Sequence, residues 1–253
     1  MSASLPELPI LRAGVEYESL DRIEVKDVAS GAVVARVHQA NAGIVRRDLA
    51  RAATRPNPLA DLSVDGLLAL CRRAAQQFLQ SDLPLSDGGP MQSAEQYVAA
   101  LARTSGLPWV LVRRNMEKIA TVLSEMPRIL AGLTRGLDPQ CWAQGIGREG
   151  ERLVSFSPRT RQLGVVLPSN SPGVNSLWLP ALALRIPVVL KPGRDEPWTP
   201  QRLARALYAA GLPRAGLSLY PTDHEGASAI LELTGRSLLF GDEATTARWA
   251  TDP

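Results

Sequence analysis

Leu163-Gly164-Val165-Val166-Leu167 is a short apolar run that ends at Pro168, and Pro187-Val188-Val189-Leu190 is a second that ends at Lys191. A stretch with helical texture, Val174 to Leu184, lies between them. The pattern repeats downstream. A helical stretch from Thr199 to Ala210 precedes Leu217-Ser218-Leu219-Tyr220, and another from Gly226 to Leu233 precedes Ser237-Leu238-Leu239-Phe240. Apolar strands alternating with short helices build a parallel sheet, because each crossover needs a helix and both faces must be covered. Right-handed crossovers make that sheet doubly wound. The chain is therefore α/β, with a partial doubly wound parallel sheet over residues 163–253.

Three segments precede the sheet. Residues 1–40 read as a β-hairpin segment: Ile23 and Val25, then Val33, Val34 and Val37, are strand-like, with the turn signal Ser30-Gly31 between them. Residues 41–142 form a helical region. One helix carries Leu67, Cys71, Ala74 and Phe78 on a single stripe, with Asp61 or Ser63 as its cap. A second carries Ala94, Tyr97 and Leu101, and a third Val112, Met116, Ile119 and Leu123, with a break at Pro127. Residues 143–162, rich in Gly, Arg and Ser, read as an irregular linker.

Bulk properties narrow the function classes. The net charge is +3 and the pI of 9.1 comes from a slight arginine excess rather than a basic tract, so nucleic-acid binding is not expected. Cys71 and Cys141 are too few for a disulfide framework or a zinc site, and Cys71 falls on a buried stripe. No metal site is expected. No apolar run reaches the length of a membrane span, and Met1–Ala13 lacks a signal-peptide core, so the expected location is the cytoplasm.

Sheets of this kind bind ligands beyond the carboxyl ends of their strands. Lys191 emerges there directly after four apolar residues, and reads either as a solvated strand end or as a cation for a hydroxyl, phosphate or carboxylate. Arg194 adds a planar fork suited to phosphate, or else a surface partner for Asp195 or Glu196. Asn170, between Pro168 and Pro172, reads either as a turn residue or as a held amide that could stabilise an oxyanion. Gly226 and Gly241 open helical stretches, where a phosphate could approach the backbone. No G-x-G-x-x-G fingerprint occurs, and His224 reads as structural or solvent-facing.

In order and spacing, Leu167-Pro168-Ser169-Asn170-Ser171-Pro172, Trp178-Leu179-Pro180-Ala181-Leu182-Ala183-Leu184, Val188-Val189-Leu190-Lys191-Pro192 and Ala210-Gly211-Leu212-Pro213 resemble the aldehyde dehydrogenase superfamily. Its usual forms are P-W-N-x-P, P-A-L-A-x-G-N, V-V-x-K-P-S-E and A-G-L-P. The resemblance covers Leu163 to Asp242 and implies a Rossmann-like part that binds NADP or NAD. It implies that Asn170 stabilises the oxyanion of a thiohemiacetal and that Lys191 binds the adenosine ribose. Pro168, Ser169, Gly193, Gly226 and the Phe240-Gly241-Asp242 turn complete the implied cofactor site.

Several positions depart from the family pattern. Ser169 replaces tryptophan, Gly193 a serine, and Asp242 the serine that faces the pyrophosphate. Arg194 stands where a glutamate normally holds the ribose 2′-hydroxyl, and the reversed charge implies a preference for NADP(H). Asn115-Met116-Glu117 and the long helical region point to the acyl-CoA reductase branch. The family's nucleophilic cysteine and glutamate base fall beyond Pro253, and neither Cys71 nor Cys141 matches the cysteine. The expected function is the cofactor-binding front part of an enzyme interconverting an aldehyde with an acid or acyl-CoA thioester. The alternative is a non-catalytic module that keeps the fold for a nucleotide or a partner. An uncovered sheet edge or face leads to the expectation that the isolated chain is poorly stable or associates, a homo-oligomer being one form of association.

Overall fold

The computed structural model describes residues 5–241, 247 and 249. Its first strands are β1 (Glu7–Leu8), β2 (Ile10–Arg12), β3 (Val15–Tyr17), β4 (Arg22–Lys26) and β5 (Val33–His38). Helices α1 (Ala42–Thr54) and α2 (Val64–Gln80) follow, then a short pair, β6 (Leu83–Pro84) and β7 (Met91–Gln92). Next come α3 (Ala94–Ser105), α4 (Trp109–Ser124), α5 (Met126–Leu133) and α6 (Gln140–Gln144), and the hairpin β8 (Ile146–Glu149) and β9 (Arg152–Ser155). The remainder alternates: β10 (Leu163–Val166), α7 (Leu179–Ala183), β11 (Val188–Lys191), α8 (Trp198–Ala209), β12 (Leu217–Leu219), α9 (His224–Leu233) and β13 (Arg236–Leu239).

Six strands form the main sheet in the order β13-β10-β11-β12-β2-β3. The four strands read from the apolar runs are parallel to one another. The chain steps from β10 to β11 to β12, then crosses back so that β13 lies on the other side of β10. That reversal puts a topological switch point between β10 and β13, and the crevice beyond their carboxyl ends is the natural ligand position.

The other two strands are not legible from alternation, since three residues carry too little of it. β2 and β3 form a hairpin whose turn residues, Ala13 (φ 49°) and Gly14 (φ 75°), are both left-handed. A two-residue turn of that hand matches the twist of the strands it joins. β2 then pairs antiparallel with β12, placing Leu11 opposite Leu219. The sheet is therefore wider than the four strands expected.

Elsewhere β4 and β5 form the expected hairpin, with Gly31 at φ 71° in its turn, and β1 joins β5 in parallel. The helix expected over Val174 to Leu184 is broken. A 3-10 turn covers Pro172–Ser176 and α7 starts afresh at Leu179, because Pro180 lacks an N–H and suits only a first turn. The stretch 143–162, read as irregular, contains the β8–β9 hairpin, with Gly145 (φ 75°) and Gly150 (φ 60°) supplying the left-handed positions. Ser63, rather than Asp61, caps α2 by accepting from the Gly66 N–H at 3.0 Å.

Strand β11 shows how the sheet is covered. Val188 and Leu190 point into the larger core with α2, α4 and α8, while Val189 points into a smaller one with α1 and α9. Burying each such side chain contributes about 1.5–3 kcal/mol. No helix among the described residues is long and apolar enough to cross a membrane.

Candidate functional site

The three strands around the switch point end level. Val166 lies opposite Lys191 on one side and Leu239 on the other. Backbone bonds carry the pairing one step further: the Leu167 N–H donates to the Lys191 carbonyl at 2.9 Å, and the Phe240 N–H to the Val166 carbonyl at 3.1 Å. Phe240-Gly241, Pro168-Ser169-Asn170 and Lys191-Pro192-Gly193-Arg194 therefore reach one rim together. Asp242 lies outside the described residues.

Gly193 is buried against the Pro168 carbonyl and the Ser169 Cα, where a β-carbon would overlap both. The Asp195 N–H also donates to Ser169 Oγ at 3.3 Å. Glycine in place of the usual serine thus lets the two loops close on each other, and Ser169 is partly used in holding them.

Two cations stand on this rim. Lys191 is half-buried and has no hydrogen bond or ion pair among the described residues. Burial pushes its ammonium below the ordinary lysine value, against the pull of Asp195 and Asp223. Arg194 is exposed, and neither neighbouring carboxylate claims it among the described residues. Glu196 is instead buried, and one of its oxygens accepts from the Thr199 N–H at 2.7 Å in the first turn of α8. Its other oxygen is buried without a partner, and burial pushes the carboxyl up to about 8.

Asn170 is exposed and its amide makes no hydrogen bond among the described residues. Its loop is held from behind by Asn175, which is fully buried. The Asn175 amide donates to the Pro172 carbonyl at 3.1 Å and accepts from the Trp178 indole N–H at 3.1 Å. This clamp is absent from the reading of the sequence; an Asn three residues before a Trp is its only signal. The following 3-10 turn packs on α4, where Gly173 meets Asn115 Oδ1 and has Lys118 Nζ 3.8 Å from its β-carbon position.

Gly226 and His224 have local explanations. The Gly226 N–H donates to the Asp223 carboxylate at 2.9 Å, making Asp223 the cap of α9, and a β-carbon at Gly226 would strike Thr222. His224 is exposed. Cys71 and Cys141 are both buried, and burial pushes the Cys71 thiol up to about 12 and raises that of Cys141. Neither is a thiolate near neutral pH, which is what nucleophilic attack requires. Among the described residues no group of His, Cys, Asp and Glu could hold a metal.

A profile of the aldehyde dehydrogenase family matches residues 15–235. The chain belongs to the aldehyde dehydrogenase family. A protein of Mycobacterium ulcerans described as an NADP(+) succinate-semialdehyde dehydrogenase is 33% identical over 126 residues, which cover 49% of this chain and 24% of that one. The apo crystal structure of an indole-3-acetaldehyde dehydrogenase superposes with a TM-score of 0.71 at 20% identity, covering 90% of this chain and 50% of that one. The NAD+ complex of an aldehyde dehydrogenase from Bacillus cereus superposes with a TM-score of 0.66 at 18% identity, covering 89% and 44%. These structural likenesses concern the fold. The chain spans half or less of the length of these aldehyde dehydrogenases.

Proposed function

We propose that this chain supplies the nicotinamide-dinucleotide site of an aldehyde dehydrogenase and takes NADP(H) in preference to NAD(H). The carrying observation is the pair of unclaimed cations, Lys191 and Arg194, on the rim beside the switch point. An ammonium and a guanidinium fork are the donor set that a ribose 2′-phosphate needs, and the fork would hold its oxygens in pairs. The name of the M. ulcerans relative, with its NADP(+), agrees with that preference. Pro168, Gly193, Phe240 and Gly241 would shape the backbone surface for the rest of the dinucleotide.

A bound nicotinamide would supply the hydride-accepting chemistry for the substrate carbon. Asn170, with its amide unpaired, would donate to the oxygen on that carbon as negative charge develops there. The buried clamp of Asn175 and Trp178 positions the loop that carries it. Lys118, exposed and without an ion pair among the described residues, stands beside the same turn and favours an aldehyde with a negatively charged end. Asn115 donates to the Leu111 carbonyl at 2.9 Å and Met116 is buried in the core, so packing accounts for these two residues without a thioester substrate. The product we favour is therefore the acid. With Cys71 and Cys141 buried and protonated, this chain contributes binding and oxyanion stabilisation, and the nucleophile comes from elsewhere.

Titration of the chain with NADPH and with NADH tests the reading. Tighter binding of NADPH, by about tenfold or more, is expected from one charge-assisted contact. Equal or tighter binding of NADH overturns the NADP(H) preference, and failure of both to bind overturns the site itself.

A further inference from the structure

A second concavity lies at the opposite end of the sheet from the cofactor rim. It runs beneath the last turns of α1, past the amino-terminal ends of β10, β11 and β13, and along the segment Phe156–Gln162, with a volume of about 1560 Å³. Its floor is apolar, built in part from Leu163, Ile186, Pro187 and Val188. Six arginines, Arg51, Arg55, Arg159, Arg161, Arg185 and Arg236, stand around this floor, and the lining contains no lysine.

The carboxylates in the lining do not answer this charge. Asp48 is bound to Arg12 at 2.6 Å and accepts from the Tyr220 hydroxyl at 3.1 Å. Glu16 is held by Arg205 and by the Asp87 N–H. With a net charge of only +3 on the whole chain, the positive excess is concentrated in this groove.

Structural duties explain only part of the cluster. Arg161 donates to the Ala53 carbonyl at 2.7 Å, near the end of α1, and Arg236 to the Gly235 carbonyl at 3.2 Å. The guanidinium groups of Arg51, Arg55, Arg159 and Arg185 have no hydrogen bond or ion pair among the described residues. Arg185 also has a left-handed backbone, φ 60°, a strained conformation for a residue other than glycine. Its Nε and the Trp142 indole N–H, both of groove residues, are buried without acceptors. Gathering like charges on one concave surface raises the energy of the fold and focuses a positive potential into the groove. An acceptor-rich anion would relieve both.

We propose that this groove binds a polyphosphate anion, a ligand with several linked phosphate groups. Several unpaired forks along an extended rim call for repeated anionic groups rather than a single one. Planar guanidinium forks match phosphate oxygens in pairs, and arginine holds its charge at any physiological pH. The ligand could be inorganic or the phosphate chain of a nucleotide, and both present the same chemistry. The site is independent of the proposed cofactor rim, which lies at the other end of the strands.

Calorimetric titration of the whole chain with inorganic tripolyphosphate and, separately, with ATP tests the proposal. Binding of tripolyphosphate assigns recognition to the phosphates alone, and binding of ATP only assigns it to a nucleotide polyphosphate; both support the groove if the variants behave as follows. The triple variant Arg51→Ala, Arg55→Ala, Arg159→Ala is expected to weaken binding by about tenfold or more, while Lys191→Ala with Arg194→Ala leaves it unchanged. Loss that follows Lys191 and Arg194 instead, or a triple variant that binds like the parent, overturns the proposal. So does absence of binding by either ligand, or equal binding of an oligoglutamate peptide, which would make the partner an acidic polypeptide. Should the triple variant unfold, the single reversal Arg159→Glu at an exposed position is the second arm, with the same loss expected.

Discussion

Gly193 and the Pro168 carbonyl are in direct contact, with no room between them for a β-carbon. The contact joins the loops that follow two neighbouring parallel strands, and both loops carry residues of the proposed cofactor site. Gly193→Ala must push them apart. The expected cost is about 1–3 kcal/mol of stability, as for other overpacked sites. NADPH binding should weaken at the same time, by about tenfold. Thermal unfolding and an NADPH titration on the same variant check this, and unchanged affinity would sink the idea that loop closure shapes the site.

Charge at position 194 should decide between the cofactors. Arg194→Glu is expected to invert the ratio of NADPH to NADH dissociation constants, since a carboxylate repels a 2′-phosphate and accepts from a 2′-hydroxyl. Lys191→Ala should instead weaken both cofactors. If the two substitutions act alike, Arg194 does not read the phosphate.

Glu196 links stability to pH. Its carboxyl, pushed up to about 8 by burial, keeps a proton that the unfolded chain releases above 4.5. The folded state therefore binds more protons between these values, and stability falls as pH rises through that window. The slope contributed by this one group is about 1.4 kcal/mol per pH unit. Glu196→Gln should remove this contribution, so that the variant gains on the parent in urea unfolding at pH 8 compared with pH 5. Parallel stability curves for the two proteins would show that Glu196 is ionised in the fold.

Arg202 is buried and spends its guanidinium on backbone carbonyls: Phe78 at 3.0 Å, Gln92 at 2.9 Å and Ser81 at 2.7 Å. Two of these lie at the end of α2, and the Phe78 and Tyr97 rings stand 5.9 and 5.5 Å from the charge. Arg202→Met fills similar space but strands three acceptors, at about 1–3 kcal/mol each before relaxation. Urea unfolding is expected to show a loss of about 3 kcal/mol or more. A loss below 1 kcal/mol would mean that water satisfies these carbonyls.

The parallel strands were legible because each is a short, mostly apolar run bounded by Pro, Lys or Gly, with a helical stretch between one run and the next. Reading the strand ends placed Asn170, Lys191 and Arg194 on the chain, and the register of β10 with β11 brings their loops together. What stayed hidden depends on distant partners. β2 is a strand because β12 accepts it, and Asn175 is a clamp because Trp178 folds back onto it. Gly226 reads as a ligand contact in sequence, yet Thr222 and Asp223 account for it once the helix cap is seen. The arginine groove escaped for a similar reason, since its cations come from four separated stretches of chain that only the fold gathers.

The pairing of Leu11 with Leu219 also sets an order of events during synthesis. The ribosome makes β2 about two hundred residues before β12, the strand that receives it. At about 5–20 residues per second, Ile10 and Leu11 must wait roughly ten seconds or more for their partner. Such long-range pairing also slows folding, because the loop it closes is large. Until β12 has been made, the nascent chain carries an apolar strand without its partner, a demand that falls on the path of folding rather than on the finished sheet.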